Sequence, residues 1–283
     1  MNPKLLKQLR DETGASFLLC KQALESTNDD YQKSLAYIDE HQVKEKGNDR
    51  VASKGIVVVY EKDNDAILFE VNGETDFLVK NPHFIDFIER IKEPLILSDI
   101  ANPKQALSLM IGDKSISELV TQLSGLTKEN LNFRRFYRVR KSDKQSFGTY
   151  THNQGRIASL VVLNEQKKDI ANTLALQVVA NQAQYLSYDL IDPDTINYEK
   201  FMYEKEHQNF DENLFIKHVK SISLLDQPYF KNPNLTVNQF LKENNASVVD
   251  FYKFELGQGI DNKLNCRLDI PCDGSKITVM PIY

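Results

Sequence analysis

One order of predicted elements, strand–turn–strand–helix, occurs twice along the chain and restricts the folds that it can form. The predicted strands are short runs of aliphatic, β-branched or aromatic residues, and the strands of each pair are separated by a polar turn. The two copies comprise residues 55–60, 66–71 and 82–93, and residues 148–152, 156–163 and 169–182. Their similar lengths indicate a weak internal duplication. They predict an α+β fold with two related subdomains and antiparallel sheets.

Local signals predict where the helices between these strands begin and end. The pair Asn81-Pro82 is typical of a helix N-cap followed by proline at the first helical position. Because the residue before a proline avoids helical geometry, this helix is expected to end before Pro94. Further along, either Ser115 or Ser117 begins a helix that we expect to close near Gly125.

The first residues form a separate predicted unit. Residues 1–45 show apolar positions spaced by three and four, which predicts three short helices. Three such helices make only a marginal core, so we expect a small interaction module adjoined to a larger body. The other predicted segments are a charged linker 46–54, a core N-subdomain 55–141, a core C-subdomain 142–260 with a helical protrusion at about 194–225 and a C-terminal module at about 227–260, and a divergent tail 261–283.

Charge and cysteine content argue against several classes of protein. The formal net charge of -5 argues against nucleic acid as the main partner. No apolar run approaches the ~20 residues that a membrane helix needs, so we expect no membrane segment. The three cysteines, Cys20, Cys266 and Cys272, are too few and odd in number for a disulfide scaffold. A reducing, cytoplasmic location is therefore expected.

The sequence also lacks the signatures of common enzymes and metal proteins. The five histidines show no paired metal-ligand spacing. A GxxxxGK[ST] phosphate loop is absent, so the protein is not expected to bind a nucleotide directly. No Ser-His-Asp or Cys-His signature stands out. These observations favour a protein that is not an enzyme and has no catalytic residues, metal site or cofactor, while a triad of residues scattered along the sequence stays open.

A basic strand predicted at residues 131–140 leaves an alternative function open. Arginines at 134, 135, 138 and 140 with aromatic residues at 136 and 137 resemble an RNA-binding strand. Strand alternation, however, places Arg134 and Phe136 on one face and Arg135 on the other. The alternative function is that of an RNA-binding protein, or another interaction protein, built on the same predicted α+β scaffold.

The stretch from Glu70 to Phe77 carries the most specific motif of the chain. It reads Glu-Val-Asn-Gly-Glu-Thr-Asp-Phe and joins a predicted strand to the helix at Pro82. An acid beside a phenylalanine on such a connection can cap a turn and pack its ring inward. The whole string, however, resembles the signature of the elongation factor Ts family.

Further motifs of that family occur in the family's order, so the resemblance covers about residues 3–260. They are 9–15 with 20–24, 129–135, 150–157 and 236–260. The chain also departs from the family pattern. Gly73 stands where the family often has Cys, and Thr127-Lys128 replaces an apolar residue and Gly. Residues 261–283 match nothing in the family.

The resemblance implies a guanine nucleotide exchange factor for elongation factor Tu. Such a factor binds the GDP complex and the nucleotide-free GTPase, disturbs the Mg²⁺ and phosphate site, releases GDP and is displaced by GTP. The family's Thr-Asp-Phe loop intrudes on the magnesium site, which assigns this role to Thr75, Asp76, Phe77 and Leu78. The implied partner-binding residues are Lys7, Arg10, Phe17, Leu18, Lys21, His152, Tyr229 and Phe230. The resemblance also implies a ubiquitin-associated-type N-terminal module, and it leaves open a homodimer or a two-plus-two complex.

Overall fold

The structure is a computed structural model that describes residues 3–13, 17–42, 52–207 and 210–258. This part contains helices and antiparallel strand pairs, which confirms the predicted α+β class. The chain divides into two units, formed by the described residues of Met1–Ile56 with Glu70–Arg135 and of Val57–Phe69 with Phe136–Tyr283. The predicted tail 261–283 and most of the predicted linker lie outside the described residues.

Helices and strands are numbered in chain order. Up to residue 140 they are α1 (Pro3–Thr13), α2 (Phe17–Ser26), α3 (Tyr31–Gln42), β1 (Lys54–Lys62), β2 (Asp65–Gly73), α4 (Pro82–Leu97), α5 (Pro103–Leu107), β3 (Met110–Ile111), β4 (Lys114–Ser115), α6 (Ile116–Thr127) and β5 (Asn132–Arg140). Thereafter they are β6 (Ser146–His152), β7 (Ile157–Leu163), α7 (Lys168–Ala180), α8 (Pro193–Glu206), α9 (Glu212–Ser221), β8 (Pro228–Tyr229), β9 (Asn232–Thr236), α10 (Val237–Glu243) and β10 (Val248–Glu255). Short 3-10 helices occur at Leu78–Lys80, Asn153–Gly155 and Tyr188–Leu190.

Two three-stranded sheets share one arrangement. Their strand orders are β1-β2-β5 and β6-β7-β10, so the second strand of each hairpin lies in the middle and a later strand pairs beside it. Each hairpin is followed by a helix, α4 in the first copy and α7 in the second. An internal duplication would produce this arrangement, while the subdomain boundaries stay a prediction.

The three N-terminal helices enclose a small apolar cluster in the first unit. Its buried members are Leu6, Leu9, Cys20, Ala23, Leu24 and Ile38. α1 also contacts α6. The helices therefore have a core of their own, as the apolar spacing predicts, and the ubiquitin-associated type of the module stays a prediction.

Helix α4 runs through Pro94 to Leu97, so the prediction that it ends before Pro94 is wrong. A proline inside a helix removes a backbone donor and costs about 3 kcal/mol. The turn that follows places Leu95 and Ile96 in the core, at 0% and 3% exposure. Burying two such side chains contributes about 3–6 kcal/mol, which offsets the cost of the proline.

Ser115, rather than Ser117, is the N-cap of helix α6. The Ser115 Oγ accepts a hydrogen bond from the Glu118 N–H at 3.2 Å, and the Glu118 carboxylate accepts one from the Ser115 N–H at 2.7 Å. This capping box satisfies backbone donors that the helix leaves unpaired at its first turn. The helix continues to Thr127, so Gly125 lies within its last turn, and Lys128 ends it with a φ of 57°.

Replacing Lys128 by glycine should raise the free energy of unfolding by about 0.5–1 kcal/mol. A left-handed residue with a Cβ costs about 1–2 kcal/mol, and the entropy that glycine gains in the unfolded chain, about 0.5–1 kcal/mol, cancels part of the gain. Chemical denaturation measures the difference. Lys217→Gly, at an exposed position inside α9, is the matched control and should lose about 1 kcal/mol. Equal losses in both variants would contradict the conformational argument.

The second unit is built on the sheet β6-β7-β10, with α7 packed against β6 and β7. Gly148 allows the close approach, because a Cβ there would lie 2.1 Å from the Ala171 carbonyl oxygen. α8 and α9 occupy the predicted helical segment, and their residues Tyr203, Phe215 and Val219 share an apolar cluster with residues 185 and 191. Within the described ranges, no helix combines the length and apolar character needed to cross a membrane.

Candidate functional site

The loop formed by residues 74–77 connects the end of β2 to the 3-10 helix Leu78–Lys80 and to α4. Local signals set its far end. The Asn81 side chain accepts a hydrogen bond from the His83 N–H at 2.9 Å, and Pro82 occupies the first turn of α4. The Asn81 N–H donates to the Leu78 carbonyl at 2.9 Å, which closes the 3-10 turn. The helix start predicted at Asn81-Pro82 is thereby confirmed.

Phe77 and Leu78 are neighbours in sequence and have opposite environments. The Phe77 side chain is 79% exposed, whereas Leu78 is 1% exposed. The ring of Phe77 does not pack inward, which removes the simpler interpretation of the Asp-Phe pair. Asp76 is exposed beside it. Leu78 therefore anchors the loop to the first unit, and the side chains of residues 76 and 77 project from it.

Gly73 makes room for this anchor. A Cβ at position 73 would lie 2.3 Å from Leu78 Cδ2, which is closer than real Cβ contacts, and 3.0 Å from Leu131 Cδ2, which is a tight contact. A cysteine, which is frequent here in the resembled family, would require Leu78 to move. The departure at Gly73 thus has a packing consequence directly beneath the loop.

Glu129 holds the loop by its carboxylate, and sequence reasoning did not single it out as a site residue. Its Oε2 accepts hydrogen bonds from the N–H groups of Glu74 and Thr75, each at 3.1 Å. Its Oε1 accepts one from the Thr75 hydroxyl at 2.6 Å. Glu74 in turn accepts a hydrogen bond from the Asn130 N–H at 3.1 Å. The only sequence signal was the position of Glu129 at the head of the motif 129–135.

His152 lies at the end of β6 in the second unit and is exposed. Its ring lies 6.1 Å from that of Tyr150, centroid to centroid, and its Nδ1 is 3.2 Å from the Tyr150 hydroxyl. An exposed ring with one tyrosine contact contributes little to the core. It remains available to a partner.

Tyr229 and Phe230, the two aromatic residues that are expected to bind the partner together with His152, differ in burial. Tyr229 is 5% exposed and stacks on Phe240 with ring centroids 4.0 Å apart. Burial raises the pKa of the Tyr229 hydroxyl above its ordinary value. Phe230 is half-buried and meets Tyr229 edge-on at 5.5 Å. Tyr229 is therefore buried in this structure, and the partner contacts expected of Tyr229 and Phe230 stay predictions.

Comparison with known proteins gives one consistent family. Residues 74–258 match the family model described as Elongation factor TS. The chain is 35% identical over 279 residues to Elongation factor Ts of Acholeplasma laidlawii (strain PG-8A), covering 92% of this chain and 94% of that protein. It is 32% identical over 277 residues to Elongation factor Ts of Spiroplasma citri, with the same shares covered. The chain belongs to the elongation factor Ts family.

The elongation factor Ts family acts in translation elongation, as the nucleotide exchange factor of elongation factor Tu. The matched region begins at residue 74, so it contains the loop with Phe77, the clamping Glu129 and His152. The N-terminal helices lie outside that match. The resemblance seen in the motifs is thereby confirmed.

The N-terminal positions predicted to bind elongation factor Tu lie on the first two helices of the elongation factor Ts chain. Lys7 and Arg10 belong to α1, and Phe17 and Leu18 to α2, while the side chains of these four lie outside the described part of the structure. Lys21 on α2 is half-buried and its Nζ lies 3.8 Å from the Glu25 carboxylate. Their contact role stays a prediction.

The basic strand of this elongation factor Ts chain is engaged in ion pairs inside each unit. In the first unit, Arg134 and Arg135 both bond the carboxylate of Glu70, which is fully buried. In the second, Arg138 and Arg140 both bond Asp65, at 3.0 and 3.1 Å. Phe136, at 4% exposure, cannot stack on a base. The four arginines are therefore paired with carboxylates, while the Arg140 side chain stays 62% exposed.

Metal ligands do not cluster in the described ranges of the elongation factor Ts chain. Among those residues, no group of three or more His, Cys, Asp or Glu side chains is placed to hold an ion.

Proposed function

We propose that this protein is the guanine nucleotide exchange factor of elongation factor Tu, acting in the cytoplasm during translation elongation. The observation that carries the proposal is the exposure of the Phe77 ring on a loop held by a buried leucine and a carboxylate. An apolar side chain held out in water contributes little to the fold of its own chain. A partner that encloses the ring gains the free energy of removing it from water.

The partner's chemistry indicates where such a ring would act. A GTPase holds GDP by a phosphate loop and by a Mg²⁺ that bridges phosphate oxygens to protein ligands. Mg²⁺ requires nearly ideal octahedral geometry at about 2.0–2.1 Å, so a small displacement of its surroundings weakens it strongly. Phe77 is a rigid apolar wedge for this displacement, and the Asp76 carboxylate supplies a negative charge near the ion's shell.

The direction of the reaction follows from linkage. The factor accelerates GDP release only if it binds the nucleotide-free GTPase more tightly than the GDP complex. The same coupling acts in reverse, so an incoming nucleotide lowers the affinity of the GTPase for the factor by the same ratio. No covalent step is required, and the factor is regenerated when GTP displaces it.

The proposal is tested by GDP release from purified elongation factor Tu. Fluorescent GDP bound to the GTPase is chased with unlabelled nucleotide, with and without catalytic amounts of the full chain. We expect release to accelerate and each molecule of factor to serve many molecules of GTPase. A release rate that does not depend on the factor, together with salt-dependent binding of an RNA oligonucleotide, would favour the alternative function instead.

His152 offers a contact residue that can be tested separately from stability. We expect His152→Ala to weaken the complex with elongation factor Tu and to leave the Tm of the free protein nearly unchanged, because the ring is exposed. Tyr229→Ala is the contrasting variant and should lose about 3 kcal/mol of stability, since it empties a buried ring site. Titration of the complex and thermal unfolding measure the two effects. A large loss of Tm in His152→Ala would assign that ring to the core.

A further inference from the structure

We propose that Glu129 is a positioning residue for nucleotide exchange, which sets the direction of Phe77 by holding the backbone of the loop 74–77. This inference rests on the proposed function. Glu129 would affect nucleotide exchange without contacting the GTPase. Its carboxylate acts on the loop from the end of α6, in the same unit.

Three hydrogen-bond donors converge on the Glu129 carboxylate. Two consecutive backbone N–H groups and one hydroxyl, from Glu74 and Thr75, all point at the Glu129 oxygens, at 2.6–3.1 Å. Hydrogen bonds to an ionised acceptor are about twice as strong as neutral ones. Successive N–H groups that converge on one anion also hold the chain in a single turn. Thr75 is thereby held by both its backbone and its side chain.

Glu129 is itself held in place by the residues around it. It follows Lys128, the left-handed residue that ends α6, and its N–H donates to the Thr127 hydroxyl at 3.4 Å. Two residues later, Leu131 is buried and its N–H donates to the Ser124 hydroxyl at 3.2 Å. The carboxylate is therefore presented from a short segment that is fixed at both ends.

Leu78 and Glu129 hold the loop in different ways. Leu78 anchors the loop by burial, and this anchor remains if the Glu129 carboxylate is changed. Glu129 bonds the residues immediately before Asp76 and Phe77, so it constrains the approach to the exposed ring rather than the core. Loss of the carboxylate should therefore release the loop and slow exchange without unfolding the protein.

The variant Glu129→Gln keeps the size of the side chain and places an amide among donors that need an acceptor. Glu118→Gln is the matched control, because Glu118 also accepts from a backbone N–H and a hydroxyl, at the opposite end of α6. In the free full-length protein, we expect the amide protons of Glu74 and Thr75 to exchange with solvent about ten-fold faster in Glu129→Gln. The same protons should keep their wild-type rates in Glu118→Gln.

The second readout is GDP release from elongation factor Tu. We expect Glu129→Gln to slow it by about ten-fold, with a Tm close to that of Glu118→Gln. In the Phe77→Ala background, Glu129→Gln should have little further effect, because it acts through the ring that has been removed. Unchanged amide protection at residues 74 and 75, or a full additional loss in the double variant, would overturn the inference. If the wild-type protein did not accelerate GDP release from elongation factor Tu, the proposed function would be overturned. The amide exchange rates would still test whether the Glu129 carboxylate holds the loop.

Discussion

Phe77→Ala should slow GDP release from elongation factor Tu by about ten- to a hundred-fold and leave the free protein as stable as before. Burying a phenylalanine ring contributes about 1.5–3 kcal/mol, and each 1.4 kcal/mol is a factor of about ten in rate or affinity. At 79% exposure the ring has little to lose in the free protein. A core phenylalanine would instead cost about 3–5 kcal/mol of stability when replaced by alanine.

Three comparisons make the Phe77 result specific. Asp76→Ala should act in the same direction, and its effect together with Phe77→Ala should be less than additive, because both residues belong to one loop. Leu78→Ala should behave oppositely, losing about 2–5 kcal/mol of stability, because its side chain is buried. Chelating Mg²⁺ removes the barrier that the loop is proposed to lower, so wild type and Phe77→Ala should then differ less. A deficit that persists undiminished without Mg²⁺ would place the action of the loop at the phosphate or base pocket.

Glu70→Ala should cost about 3–5 kcal/mol of stability, the largest loss expected from a single ionic group in the first unit. The Glu70 carboxylate is fully buried and accepts hydrogen bonds from Arg134 at 3.2 Å and from Arg135 at 2.5 Å. Removing one partner of a buried pair leaves the other charge uncompensated in a medium that solvates it poorly. Arg135 is 7% exposed, so its guanidinium group loses the most stabilisation when the Glu70 carboxylate is removed.

The control for Glu70 is an ion pair of the same kind at the surface. Glu212 lies 3.1 Å from Lys200, and these side chains are 59% and 37% exposed. Glu212→Ala should cost no more than about 1 kcal/mol, because water screens exposed pairs. Replacing Arg135 by methionine together with Glu70→Ala should recover part of the loss, since it removes the stranded charge. Denaturant unfolding measures all three, and equal losses for Glu70 and Glu212 would show that burial does not set the cost.

Features that depend on neighbouring residues could be predicted from the sequence alone. Hairpin strands, the start of α4 at Asn81-Pro82 and the cap of α6 at Ser115 or Ser117 were all predictable. Each depends on side chains and backbone groups a few residues apart. The elongation factor Ts family was also visible in the sequence, because its motifs occur in order along the chain.

Helix length, burial and hydrogen bonds that depend on residues far apart in sequence were set by the tertiary fold. α4 continues past Pro94 because the core accepts the next turn. Phe77 is exposed and Leu78 is buried, because only the Leu78 side chain occupies the space that the missing Cβ of Gly73 leaves. Tyr229 is buried because its ring stacks on the ring of Phe240 in α10. Glu129 and Thr75 are separated by 54 positions in the sequence. No local spacing could join them, since long-range contacts form only when the whole unit has folded and buried its apolar surface.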